Sequence, residues 1–116
     1  MKSNNYIKGR VGEDIAANYI MKNGFDILDR NYKIKFAEID IIAYKNDVVH
    51  FIEVKSRTSR DFGFAYEAVD NKKQEKIRKT AEIYLNQSNF FYNEISFDII
   101  EIYYDTKNIN YIRGCF

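Results

Sequence analysis

Two runs rich in β-branched and aromatic residues, Glu38–Tyr44 (EIDIIAY) and Val48–Lys55 (VVHFIEVK), are separated by only Lys45, Asn46 and Asp47, which reads as an antiparallel hairpin. Side chains alternate faces along a strand. Glu38, Asp40, Ile42 and Tyr44 therefore share one face, and Val49, Phe51, Glu53 and Lys55 share one face of the next strand. With Asn46 and Asp47 as a two-residue turn and Lys45 opposite Val48, Asp40 falls across from Glu53 and Glu38 across from Lys55. Three carboxylates and an ammonium group then gather at one end of the hairpin, against the apolar Ile42, Tyr44, Val49 and Phe51. A slip of one residue breaks this cluster, and the turn residues leave both registers open.

Two carboxylates ~5 Å apart at an effective dielectric of about 20 repel by roughly 3 kcal/mol, so a fold that keeps such a pair needs compensation. A divalent cation is one form of it. The chain has one His (His50) and one Cys (Cys115), too few for an imidazole or thiolate zinc site, so a metal here sits on oxygen ligands, which favours Mg2+ or Mn2+. Lys55 beside the carboxylates supplies a charge that can position or deprotonate a water. The competing reading is a salt-bridged sheet face in which Lys55 only neutralises Glu38 or Glu53.

Around the hairpin, residues 5–23 read as a helix, with Ile7, Val11, Ile15 and Tyr19 at i+4 and Gly24 as its stop. Glu13 lies on a different stripe of that helix. It shares a face with Ala16, Ala17 and Ile20, a small apolar stripe that should pack inward. Phe25–Leu28 is a short strand candidate followed by a polar stretch to Lys35. Residues 56–66 read as a loop, Asp70 as the cap of a second helix over 71–87 carrying Ile77, Ala81, Tyr84 and Leu85, and Ile95–Tyr104 and Ile109–Ile112 as further strands. The order α, β, β, β, α, β, β implies an α/β architecture, a mixed sheet flanked by helices. At 116 residues, without repeats or a Pro-, Gly- or Ser-rich linker, one domain over residues 1–116 is expected.

Lys plus Arg is 18 and Asp plus Glu 17, so bulk charge does not argue for a polyanionic partner. The distribution says more. Residues 1–35 hold seven basic and four acidic groups, 36–52 one and three, 53–82 eight and six, and 83–116 two and four. Basic stretches flank an acidic one, which reads either as an ordinary solvated surface, the reading charge alone favours, or as one that could face a polyanion while holding a cation in the middle. No apolar run approaches the ~20 residues of a membrane span, no apolar stretch follows the basic residues of MKSNNYIKGR, and Cys115 has no partner for an internal disulfide. A cytoplasmic, non-membrane protein is expected.

Asp40 followed by Glu53-Val54-Lys55 on the next strand, within an αβββαβ order, resembles the PD-(D/E)XK nuclease superfamily, the restriction-endonuclease-like fold. More specifically, GRVGEDIAANYI at 9–20, AEIDIIA at 37–43, FIEVKSR at 51–57, AYEAVDNKK at 65–73, FDII at 97–100 and the closing YIRGCF resemble the YraN-like family of small bacterial proteins, similar in turn to archaeal Holliday-junction resolvases. The resemblance spans nearly the whole chain. It implies metal-dependent hydrolysis of phosphodiester bonds in DNA, branched, nicked or single-stranded. It also implies that Asp40, Glu53 and the Val54 carbonyl ligate Mg2+ or Mn2+, that Lys55 orients the attacking water, that Glu13 completes the acidic site and that Glu38 supports it. By analogy with junction-resolving enzymes it further suggests a homodimer. Ala37 departs from the Gly usual in the family before Glu-Ile-Asp.

Arg57, Arg60, Lys72 and Lys73 follow the acidic motif and are candidates to grip phosphates, with Lys8 and Arg10 from the first helix. Gly9 and Gly12 read either as a helix boundary or as places of close approach to a phosphate. The ten Tyr and nine Phe are read mostly as core, His50 as a packed residue on the face opposite Glu53, and Cys115 as inert. Asp98 interrupts an apolar strand and calls for a hydrogen-bonded partner. The alternative to a nuclease is a non-catalytic nucleic-acid-binding module on the same fold; a third reading is a structural or protein-interaction domain.

Overall fold

A computed structural model describes residues 2–57 and 69–116, with the backbone alone over 2–9. Its elements are α1 (Lys2–Lys22), β1 (Asp26–Lys33), β2 (Glu38–Lys45), β3 (Val48–Arg57), α2 (Asn71–Asn86), β4 (Glu94–Tyr103) and β5 (Asn108–Ile112). The strands form one five-stranded sheet in chain order. All neighbours are antiparallel except β3 and β4, whose parallel pairing requires the crossover that contains α2. The expected mixed sheet with helices is therefore what the chain forms, and it is consistent with a restriction-endonuclease-like core.

The hairpin register follows from the turn. Asn46 and Asp47 have φ of 51° and 64°, the paired left-handed conformation of a type I′ turn, whose twist matches that of the flanking strands. Lys45 then pairs with Val48 and the ladder runs on to Ile41 and Ile52, so Asp40 and Glu53 are the next positions in the same register. Of the two registers open to the sequence, the chain takes the one that gathers the carboxylates.

Each helix covers one face. Ala16, Ala17 and Ile20 of α1 pack on Ile41, Ala43, Ile52, Ile100 and Ile102, while Ile77 and Ala81 of α2 pack on Ile42, Val49, Phe51, Phe97 and Ile99. The inward stripe of α1 is thus the one that carries Glu13, and Val11, on the other stripe, is 44% exposed. Small residues let α1 lie close to the sheet. Gly12 is inside the helix rather than at its boundary, and a Cβ there would stand 2.0 Å from Ser56 Oγ of β3, so the close approach Gly12 permits is to a strand. At the start of α2 the Asp70 carboxylate accepts the Lys73 amide at 2.8 Å, the expected cap.

Two boundaries differ from expectation. β1 continues through the polar residues to Lys33, because an edge strand pairs on one side only and its alternating exposure tolerates Asp29, Arg30 and Asn31. Ser56 and Arg57, expected in a loop, extend β3, since they pair with Ile102 and Tyr103 of β4. No helix among the described residues is long and apolar enough to cross a membrane.

Candidate metal and nucleic-acid site

The site lies where the β2–β3 ladder ends. Asp40 turns its carboxylate onto the neighbouring strand, and Oδ2 accepts the Val54 amide at 2.9 Å. Glu53, on the same face, is 4% exposed. Its Oε2 stands 3.8 Å from Lys73 Nζ, while its Oε1 is buried with no hydrogen-bond partner. α1 delivers Glu13 from the other side of the strand end. One oxygen of Glu13 meets the Asn31 side chain, and Oε1 is again buried without a partner. Glu38 completes the acidic side, and Lys55 stands beside Lys73. Glu13, Glu38, Asp40, Glu53, Lys55 and the Val54 backbone, six positions drawn from three elements, are thus brought together.

Four carboxylates against two ammonium groups leave an excess of negative charge in a poorly hydrated place. Burial raises the Glu53 carboxyl to about 8, with the Asp40 charge adding to it. Burial likewise raises Asp40, helped by Glu38 and opposed by the Val54 hydrogen bond. It also raises Glu13, to which the Asp40 charge contributes. Lys55 is lowered, first by burial and then by Lys73. Burial thus moves three neighbouring acids up and the amine beside them down, so the charged forms of all four are disfavoured where they stand.

Among the described residues no three acidic, imidazole or thiol groups converge closely enough to hold an ion by themselves. The residues nevertheless suit Mg2+ or Mn2+. Mg2+ keeps several waters and is bound through one or two carboxylates, and here two buried carboxylate oxygens, Glu13 Oε1 and Glu53 Oε1, have no partner to satisfy them. Asp40, Glu53, the Val54 carbonyl and Glu13 are the groups that could hold such an ion.

The expected phosphate contacts divide. Lys72 and Lys73 stand on the first turn of α2, Lys72 exposed and Lys73 turned into the acidic cluster, a role that its position after the cap did not disclose. Arg10 is exposed on α1. Arg57 lies in β3 rather than in the expected loop, its side chain is 11% exposed, and its Nε is 3.5 Å from Glu101 Oε2. Arg60 lies outside the described residues, as do the Lys8 side chain and the first part of AYEAVDNKK.

On the α1 face of the sheet a second buried polar cluster explains Asp98. It accepts Ser96 Oγ at 2.6 Å, the Gly114 amide at 2.9 Å and Tyr111 Oη, and it meets His50 Nδ1 at 2.6 Å. Burial pushes its carboxyl up, but the bonds from His50, Ser96, Tyr111 and Gly114 outweigh burial and leave it below its ordinary value. His50, 3% exposed, is the packed residue expected. Burial and the Asp98 charge raise the Cys115 thiol to about 11, which agrees with an inert cysteine.

The model of the uncharacterised protein family UPF0102 matches residues 12–102. A UPF0102 protein of Caldanaerobacter subterraneus subsp. tengcongensis is 48% identical over 121 residues, covering 99% of this chain and 98% of its own length. One of Clostridioides difficile strain 630 is 44% identical over 113 residues, covering 97% and 99%. One of Dictyoglomus turgidum is 43% identical over 117 residues, also covering 97% and 99%.

Proposed function

Given that the chain belongs to the UPF0102 family, the YraN family of the resemblance drawn above, we propose that it is a Mg2+-dependent nuclease hydrolysing phosphodiester bonds in DNA. The observation that carries this reading is the pair of buried, partnerless carboxylate oxygens, Glu13 Oε1 and Glu53 Oε1, on either side of Asp40. A bound Mg2+ would supply Lewis-acid polarisation of the phosphoryl group and charge for the phosphorane-like transition state. Asp40, fixed by the Val54 amide, and Glu53 would hold it, and Glu13 would orient a water in its shell. Lys55, lowered by burial and by Lys73, is suited to orient the attacking water and accept its proton. Lys72 would hold the phosphate backbone beside the site. The test is incubation of labelled linear and branched DNA with Mg2+ or Mn2+ against Asp40→Ala and Glu53→Ala controls. Cleavage in the wild type that both substitutions abolish is expected; cleavage surviving both rejects the assignment.

One observation favours the second reading, a non-catalytic nucleic-acid-binding module: no three ligand groups converge on one point among the described residues. It predicts salt-sensitive DNA binding without cleavage, and binding unchanged in Lys55→Met.

A further inference from the structure

Beside the acidic cluster runs a groove of about 390 Å³, bounded on one side by Phe36 and Glu38 and on the other by Asp70, Lys72, Lys73 and Lys76. Its most unusual member is Phe36. Folding normally hides such a ring, yet 73% of Phe36 is exposed, on the four-residue turn that the Ile34 amide closes by donating to the Ala37 carbonyl at 2.9 Å. The turn is short and anchored by β1 and β2, so the ring stands on a firm support. The opposite wall is basic. Lys72 and Lys76 are exposed and one helical turn apart, a rise of about 6 Å along α2. Of the two acids, Asp70 is engaged by the Lys73 amide and Glu38 faces the carboxylate cluster. Lys73 lines the groove and also reaches Glu53, so the groove opens directly onto the acidic cluster.

An aromatic face opposite a row of ammonium groups is the combination that binds a single nucleic-acid strand, bases stacking on the ring and phosphates lying along the cations. We infer that this groove holds an unpaired stretch of nucleic acid beside the scissile phosphate, with Phe36 stacking on a base and Lys72 and Lys76 on the flanking phosphates. The inference rests on the reading of the acidic cluster as a nuclease centre and specifies its substrate. Lys35 Nζ lies 5.5 Å from the centroid of the Phe36 ring and adds a further cation beside it; in a duplex both faces of a base are covered by its neighbours, so the ring can take up a base only where pairing is broken, as in a single strand, a flap or a branch point. Phe36 is thereby a specificity-determining residue and Lys76 a substrate contact.

The test is fluorescence anisotropy with a labelled single-stranded oligonucleotide and its duplex, with Ca2+ replacing Mg2+. The wild type is expected to prefer the single strand. Phe36→Ala should weaken single-strand binding roughly 5- to 100-fold, the equivalent of one base stack, and change duplex binding less than about twofold. Phe36→Tyr should retain the preference. Because the chain has no Trp, Phe36→Trp places a sole indole in the groove, and its emission should be quenched by the single strand. Equal binding of both forms by the wild type, equal effects of Phe36→Ala on both, or unchanged Trp emission overturns the inference, as does the absence of DNA binding. The two readings fail separately. Phe36-dependent single-strand binding without Mg2+-dependent cleavage removes the nuclease and leaves the groove, whereas cleavage with an intact strand preference in Phe36→Ala removes the groove and leaves the nuclease.

Discussion

Asp40 Oδ2 accepts the backbone amide of Val54 at 2.9 Å, a side-chain bond that crosses from β2 to β3 just beyond the last backbone pair of their ladder. The bond fixes the carboxylate against the peptide that joins Glu53 to the residue before Lys55. It also makes Asp40 two things at once, a structural acceptor and a proposed metal ligand, and substitutions can separate these.

Asp40→Asn keeps an oxygen for the Val54 amide and removes one charge from a crowded acidic cluster. We expect it to fold with a melting temperature at or above that of the wild type and to bind Mn2+ at least tenfold more weakly by calorimetric titration. Asp40→Ala leaves the Val54 amide without its acceptor and should lower stability by about 1–3 kcal/mol in urea. Undiminished Mn2+ binding in Asp40→Asn would remove Asp40 from the ligand set.

Glu53 makes the metal-free protein sensitive to pH. Its carboxyl is raised from 4.5 to about 8, so the folded chain holds this proton more tightly than the unfolded chain does. The stability contributed by that difference is fully present below pH 4.5 and is lost as pH rises through about 8. The melting temperature in EDTA should therefore fall between pH 5 and pH 8, and Glu53→Gln should flatten the fall. Saturating Mn2+ should reduce it as well, because the cation takes the proton's place. A wild-type curve that rises through this window, or one that Glu53→Gln leaves unchanged, contradicts the assignment.

Lys55 is proposed to act on the water rather than on the metal. Lys55→Met should leave Mn2+ affinity within about threefold of the wild type while cleavage slows by roughly 10²- to 10⁴-fold, the usual range for a lost general acid or base. Unimpaired cleavage would move that role elsewhere.

Asp98 is expected to matter for stability alone. Its two oxygens take bonds from Ser96, Tyr111 and the Gly114 amide and meet His50, tying β3, β4, β5 and the chain's last residues together. Asp98→Ala leaves buried donors without an acceptor and should cost about 3–5 kcal/mol by urea denaturation. Mn2+ affinity, measured where the variant is folded, should not change, because the cluster lies on the sheet face opposite Glu53.

The parts of this protein that are written in short stretches of chain could be read from them. Alternating residues in β2 and β3, an Asn-Asp turn between them and a capping Asp70 ahead of a periodic helix are all local, and each is settled by sterics and hydrogen bonds within a few residues. The face shared by Asp40, Glu53 and Lys55 follows from those alone once the turn is type I′, because a period of two fixes every side chain as soon as one pair is set. Glu13 could be placed on the inward stripe of its helix, but its meeting with Asn31 and Asp40 depends on how closely α1 packs on the sheet, to which Gly12 and Ser56 contribute from distant parts of the chain. The same holds for Lys73 reaching Glu53, for Arg57 pairing with Glu101, and for His50, Asp98 and Tyr111 converging from three strands. Such contacts join residues tens of positions apart. No periodicity or turn signal encodes them, since the loss of chain entropy they require is compensated only by the packing of the assembled sheet between its two helices.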